Sequence, residues 1–108
     1  MIKIIANWKM YLSIRQSREL AAQVRQWWET AACTNAELII CPSDIALRDV
    51  ADQLSGSGIK VGSQNVSLSD TLGAFTGQTS AQQLTEAGAQ YVLVGHSEQR
   101  QMLHLTDV

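Results

Sequence analysis

With 108 residues, 45% of them hydrophobic, the chain is long enough for one modest packed domain or a section of a larger one. Eight basic against ten acidic residues give a formal net charge of -2, and no basic cluster is present, so nucleic acid and anionic membranes have no electrostatic case as partners. No apolar run reaches the roughly 18 residues of a spanning helix.

The first predicted element is a strand over Ile2 to Ala6. Its three isoleucines in a short apolar run suggest a strand covered on both faces. The run passes straight into Asn7-Trp8-Lys9, without the apolar core and cleavage site of a signal peptide, and a cytoplasmic protein is expected. Ser13-Ile14-Arg15-Gln16 is a capping box that opens a helix. Behind it Leu20, Ala21, Val24, Trp27, Trp28 and Ala31 recur at helical spacing and should pack on the sheet. Leu38 to Cys41 reads as a second strand, closed by Pro42. Ser43 is placed to cap the next helix, with Asp44 favourable in its first turn. Leu47, Val50, Ala51 and Leu54 mark that helix's buried face, and Gly56 and Gly58 end it.

Ile59 to Gly62 starts a third strand. A longer connection, 66–79, follows, and Ser80-Ala81-Gln82-Gln83 opens a short helix that Gly88 ends. Tyr91 to Val94 is the fourth strand, and Ser97 is placed to cap a fourth helix. Cys33 and Cys41 lack metal-ligand or redox spacing and are expected to be buried, reduced thiols. Asp44, Asp49 and Asp52 read as a solvated helix face, not a metal cluster.

Strands and helices alternate with a period of about 30 residues, the mark of βα units with right-handed crossovers around a parallel sheet. Parallel strands present their C-terminal ends on one rim, where ligands bind in such folds. The first strand brings Asn7 and Lys9 to that rim, the third brings Gln64 and Asn65, and the fourth brings His96, Ser97 and Glu98. A lysine supplies a point charge and a histidine a hydrogen bond or a proton, which together suit stabilisation of a developing oxyanion. Taken singly, each has a plainer reading: a solvated lysine, a polar strand end, and a carboxylate favoured by a helix dipole.

The motifs Asn7-Trp8-Lys9-Met10, Gly73-Ala74-Phe75-Thr76-Gly77 and Tyr91-Val92-Leu93-Val94-Gly95-His96-Ser97-Glu98 stand in one order and spacing, with Gln64-Asn65 between them. In this the chain resembles the triosephosphate isomerases, over essentially its whole length. The resemblance implies an α/β fold, the TIM (β/α)8 barrel, of which the chain supplies about the first three and a half βα units. Such a barrel runs to about 250 residues. Residues 1–108 would be the N-terminal half of a single barrel domain without an internal boundary.

The resemblance also implies interconversion of dihydroxyacetone phosphate and glyceraldehyde 3-phosphate through an enediolate, in glycolysis and gluconeogenesis. The substrate is a small phosphorylated triose, no cofactor or metal is needed, and the full-length protein is a homodimer. Lys9 would bind substrate and stabilise negative charge, and Asn7 would help to position the substrate. His96 would polarise the carbonyl and shuttle protons; this family is itself the standard worked case of a neutral histidine electrophile at a helix start. Gln64, Ser97 and Glu98 would support these groups. Thr76, with Phe75, would form a loop tip that reaches into the partner subunit's site.

Three positions depart from the family pattern: Tyr11 stands where Asn is usual, Gln78 where an acid is usual, and Gln99 where Arg is usual. The hypothesis for the last two is an interface ion pair replaced by two hydrogen-bonding amides, which removes a desolvation cost. A dimer in which Gln78 and Gln99 lie far from the interface would sink it. The family's catalytic glutamate, phosphate grip and closing lid belong to later units that this sequence does not contain. A missing general base costs at least about 10²–10⁴-fold in rate, so the 108-residue polypeptide alone is expected to be inactive or nearly so. Its open strand edges are expected to make it molten, poorly soluble or self-associated. The alternative function is a non-catalytic half-barrel module that pairs with itself or with a complementary half.

Overall fold

In a computed structural model the described residues are 1–107. Four strands, β1 (Ile2–Asn7), β2 (Ala36–Cys41), β3 (Lys60–Ser63) and β4 (Tyr91–Val92), each precede a helix: α1 (Ile14–Ala31), α2 (Asp44–Leu54), α3 (Ala81–Glu86) and α4 (Ser97–Met102). All pairings are parallel and the strand order is the chain order, β1-β2-β3-β4. This is the half-barrel arrangement that the alternation implied.

Register sorts the side chains by face. Lys3 pairs with Glu37, Ile5 with Ile39 and Asn7 with Cys41 on one face, while Ile4 pairs with Leu38 and Ala6 with Ile40 on the other. The second face carries the helices. Leu38, Ile40 and Val61 from the sheet meet Ala46, Leu47, Val50 and Leu54 of α2, all at most 5% exposed. Each large aliphatic side chain removed from water there contributes about 1.5–3 kcal/mol. Helix α1 approaches through small residues: Ser17 and Ala21, one turn apart, are its fully buried positions, and the Ser17 hydroxyl donates to Ser13 O at 2.8 Å.

Both capping boxes form as read, at Ser13/Gln16 and at Ser80/Gln83. Ser43 holds the N-cap position of α2 without a side-chain cap bond. Next to it, the Asp44 carboxylate accepts from the buried Ser63 hydroxyl at 2.9 Å and ties the start of α2 to the end of β3.

Several expectations need correction. Ile2, Ile4 and Ile5 are 61%, 44% and 54% exposed, so β1 is not covered on both faces. Among the described residues it pairs with β2 alone and so forms an edge of the sheet. Regular pairing in β4 stops at Val92 instead of Val94, and Val94 is 79% exposed. Trp27 points outward while Trp28 is half-buried, because neighbours on a helix stand about 100° apart and only one can face the sheet. Ala31, in the last turn, is also exposed. Cys41 is buried as expected, but Cys33 is exposed, in the turn after α1. Burial pushes the Cys41 thiol up from its ordinary range.

Candidate active site

The chain leaves β1 at Asn7 and turns at once. Trp8 N–H donates to Cys41 O at 2.9 Å, which keeps the first residue past the strand on the ladder. Lys9 then adopts φ 53°, a left-handed conformation that costs a residue with a Cβ about 1–3 kcal/mol. Two side-chain amides hold it there. Asn7 Oδ1 accepts from Lys9 N–H at 2.9 Å, and Gln64 Nε2 donates to Lys9 O at 2.8 Å. Gln64 Nε2 also donates to Cys41 O at 3.0 Å, so the ends of β1, β2 and β3 are joined through one amide.

From this turn Lys9 Nζ reaches Glu98 Oε1 at 2.5 Å. The lysine's hydrogen bond holds the Glu98 carboxyl down at about 2, and the carboxylate in turn raises Lys9 above its ordinary range. Both side chains stay roughly half exposed, so this contact is open to water and to ligands.

His96 is the N-cap of α4; the cap had been expected at Ser97, which is instead the first helical residue. Imidazole Nδ1 lies as many bonds from Cβ as the Oδ1 of asparagine and caps in the same way, accepting Gln99 N–H at 3.2 Å. The same nitrogen lies 3.4 Å from Glu98 Oε2, which would call for a proton on Nδ1. The two contacts exclude each other. The amide, which must donate, decides for an unprotonated Nδ1, and the ring proton belongs on Nε2. Gly95, just before, has φ 67°, and its carbonyl accepts from Arg100 Nε at 2.7 Å. The Ser97 hydroxyl lies 3.4 Å from Glu98 Oε2.

Thus Asn7, Lys9, Gln64, Ser97, Glu98 and His96 gather at one rim of the sheet. Phe75 and Thr76 lie on the largely exposed 66–79 connection. Gln78 closes the base of that connection, its Oε1 accepting from Ser67 Oγ at 2.6 Å. Tyr11 is 81% exposed just past the Lys9 turn. Among the described residues no group of three or more His, Cys, Asp or Glu side chains is placed to hold a metal ion, and no helix is long and apolar enough to cross a membrane. Sequence reading missed the left-handed Lys9, the double donation by Gln64 and the capping role of His96. The spacing Asn7-Trp8-Lys9 carried a signal for the first, since Asn often bonds the backbone two residues on and stabilises turns.

A parallel sheet with a helix after every strand, and a lysine, a histidine and a carboxylate converging at its C-terminal rim, defines a section of an α/β barrel of the kind that carries its chemistry on that face. The sequence profile described as triosephosphate isomerase matches residues 2–108. The triosephosphate isomerase of Clostridium botulinum (strain Loch Maree / Type A3) is 38% identical over 104 residues, which span 96% of this chain and 40% of that protein. That of Bdellovibrio bacteriovorus is 41% identical over 95 residues, 88% of this chain and 38% of that protein. The crystal structure of triosephosphate isomerase from Bartonella henselae superposes with a TM-score of 0.82 at 35% identity, covering 98% of this chain and 42% of that one. This chain belongs to the triosephosphate isomerase family and spans about two fifths of the length of the relatives it matches.

Proposed function

We propose that this chain supplies the electrophilic side of a triosephosphate isomerase, which interconverts dihydroxyacetone phosphate and glyceraldehyde 3-phosphate by moving a proton next to a carbonyl. The observation that carries this reading is the Lys9–Glu98–His96 constellation, built on a left-handed lysine at the rim. With Nδ1 occupied by the Gln99 amide, Nε2–H is the group His96 has to offer a carbonyl oxygen. As charge grows on that oxygen, the hydrogen bond strengthens and Lys9 supplies the balancing positive field. In the free protein Glu98 holds the ammonium at the rim, and an anionic substrate competes for it. Asn7 serves by fixing the Lys9 turn as well as by touching substrate. The proton-abstracting base and the phosphate grip would come from further βα units, and Thr76 would work across a homodimer interface in a cytoplasmic enzyme.

The test is a complete barrel in which residues 1–108 are joined to the remainder of the Bartonella henselae protein. Isomerase turnover is expected, with His96→Gln lowering kcat by about 10²–10⁴-fold. The 108-residue polypeptide alone is expected to show none. A folded chimera without turnover, or a His96→Gln variant as fast as the parent, would overturn the proposal.

A further inference from the structure

Gln64 stands outside the reacting groups, yet it uses both of its N–H bonds at the rim. One goes to Lys9 O at 2.8 Å and the other to Cys41 O at 3.0 Å. A carboxamide has just two such donors, so its orientation is determined: the reversed amide would aim oxygen at two carbonyls. Cys41 O already accepts Trp8 N–H at 2.9 Å. The peptide preceding the Lys9 turn and the peptide leaving it are therefore tied to the same carbonyl, one directly and one through Gln64. Asn7 takes the remaining amide of the turn, Lys9 N–H. A residue at φ 53° left without these partners would relax to the common region with φ below zero. That change would swing the lysine stem away from Glu98.

We propose that Gln64 is a positioning residue for Lys9: its amide clamps the Lys9 carbonyl to the end of β2, holds the left-handed turn, and so sets where the ammonium meets an anionic ligand. The proposal rests on the isomerase reading for its kinetic consequence but not for its structural one. The geometry is specific to this side chain. Glutamate offers no donor, asparagine falls one methylene short, and leucine fills the space without binding either carbonyl.

The experiment compares Gln64→Leu and Gln64→Asn with the parent in the completed barrel, using steady-state kinetics and a carboxyl NMR titration of Glu98. Both variants should remain folded and lose at least about tenfold in kcat/KM, since a catalytic group displaced by about 1 Å costs about 10²-fold. The Glu98 titration should move up from about 2 toward an ordinary carboxylate as Lys9 departs. A general loss of stability would not move that titration while the barrel stays folded. Variants with kcat/KM within twofold of the parent and an unmoved Glu98 would overturn the proposal. If the folded parent shows no turnover, the isomerase reading fails and the titration alone decides the role of Gln64.

Discussion

At the N-terminal end of β1, Lys3 Nζ lies 2.5 Å from Glu37 Oε2; at the other end, Lys9 Nζ lies 2.5 Å from Glu98 Oε1. The pairs match in chemistry and in length, and each belongs to a cluster linking β1 with the β4 side of the sheet. Their settings differ. Lys3 and Glu37 are register partners on regular strands, and Tyr91 of β4 completes a closed set. Its hydroxyl accepts from Lys3 at 2.8 Å and donates to Glu37 at 2.9 Å, while the ammonium sits 4.9 Å from the ring centre. Ordinary strand geometry places every one of these groups. The Lys9 pair instead requires a left-handed residue held by two amides, and its carboxylate comes from the start of a six-residue helix. One cluster is satisfied by the fold itself. The other is held in a costly conformation and leaves its carboxylate 41% exposed, against 17% for Glu37, an arrangement that a further ligand can use.

The sharpest way to break this contrast is to remove each lysine from the completed barrel. Lys9→Met should lower kcat/KM by about 10²–10³-fold, the usual scale for loss of one group that stabilises a developing oxyanion. Lys3→Met should leave turnover within about threefold, since side chains at the N-terminal face of such barrels serve stability and the chemistry sits at the C-terminal face. Comparable losses from both substitutions, read by steady-state assay, would erase the distinction drawn between the two ends.

Acid provides the next test. Lys9 holds the Glu98 carboxyl at about 2, against an ordinary 4.5, and Lys3 with Tyr91 lowers Glu37 as well. A carboxyl depressed in the folded state stabilises it fully above the unfolded value, and the contribution is lost as pH falls through the folded one. For Glu98 that window runs from about 4.5 down to about 2. Lys3 and Lys9 are raised, so their contributions hold below 10.5 and fade at higher pH. Denaturant midpoints measured across the acid window should fall less steeply for Glu98→Gln than for the parent. A parallel curve would show that the Lys9–Glu98 contact does not persist in solution.

Much of the fold was legible because alternation, capping boxes and turn glycines are local signals. Ser13/Gln16 and Ser80/Gln83 state their helices outright, and the apolar runs of β2 and β3 lie under helices as such runs imply. The arrival of Lys9, Gln64 and His96 at one rim was legible too, because parallel strands share their direction. Composition misled wherever it describes surroundings that residues 1–107 do not supply. The isoleucines of β1 read as buried, yet nothing described lies against much of that strand. Trp27 and Trp28 could not be told apart by spacing alone. The φ of Lys9 and the twin bonds of Gln64 depend on three strand ends meeting in space, and no one-dimensional pattern encodes that.

The smallest effect concerns the residue that delivers His96. Gly95 has φ 67°, and a Cβ placed there would lie 2.6 Å from Arg100 Nη2. Gly77, on the 66–79 connection, has φ 85° but no atom within 4 Å of such a Cβ. Alanine at Gly77 thus carries the backbone cost alone, about 1 kcal/mol. Alanine at Gly95 adds displacement of the Arg100 guanidinium, which donates to the Gly95 carbonyl and pairs with Asp107 at 2.6 Å. Gly95→Ala should therefore cost about 1–2 kcal/mol by chemical denaturation, more than Gly77→Ala. It should also lower turnover, because the turn it strains leads directly into the His96 cap. Equal costs at the two glycines with unchanged turnover would mean that Arg100 yields freely and that the approach to His96 is less constrained than the Lys9 turn across the rim.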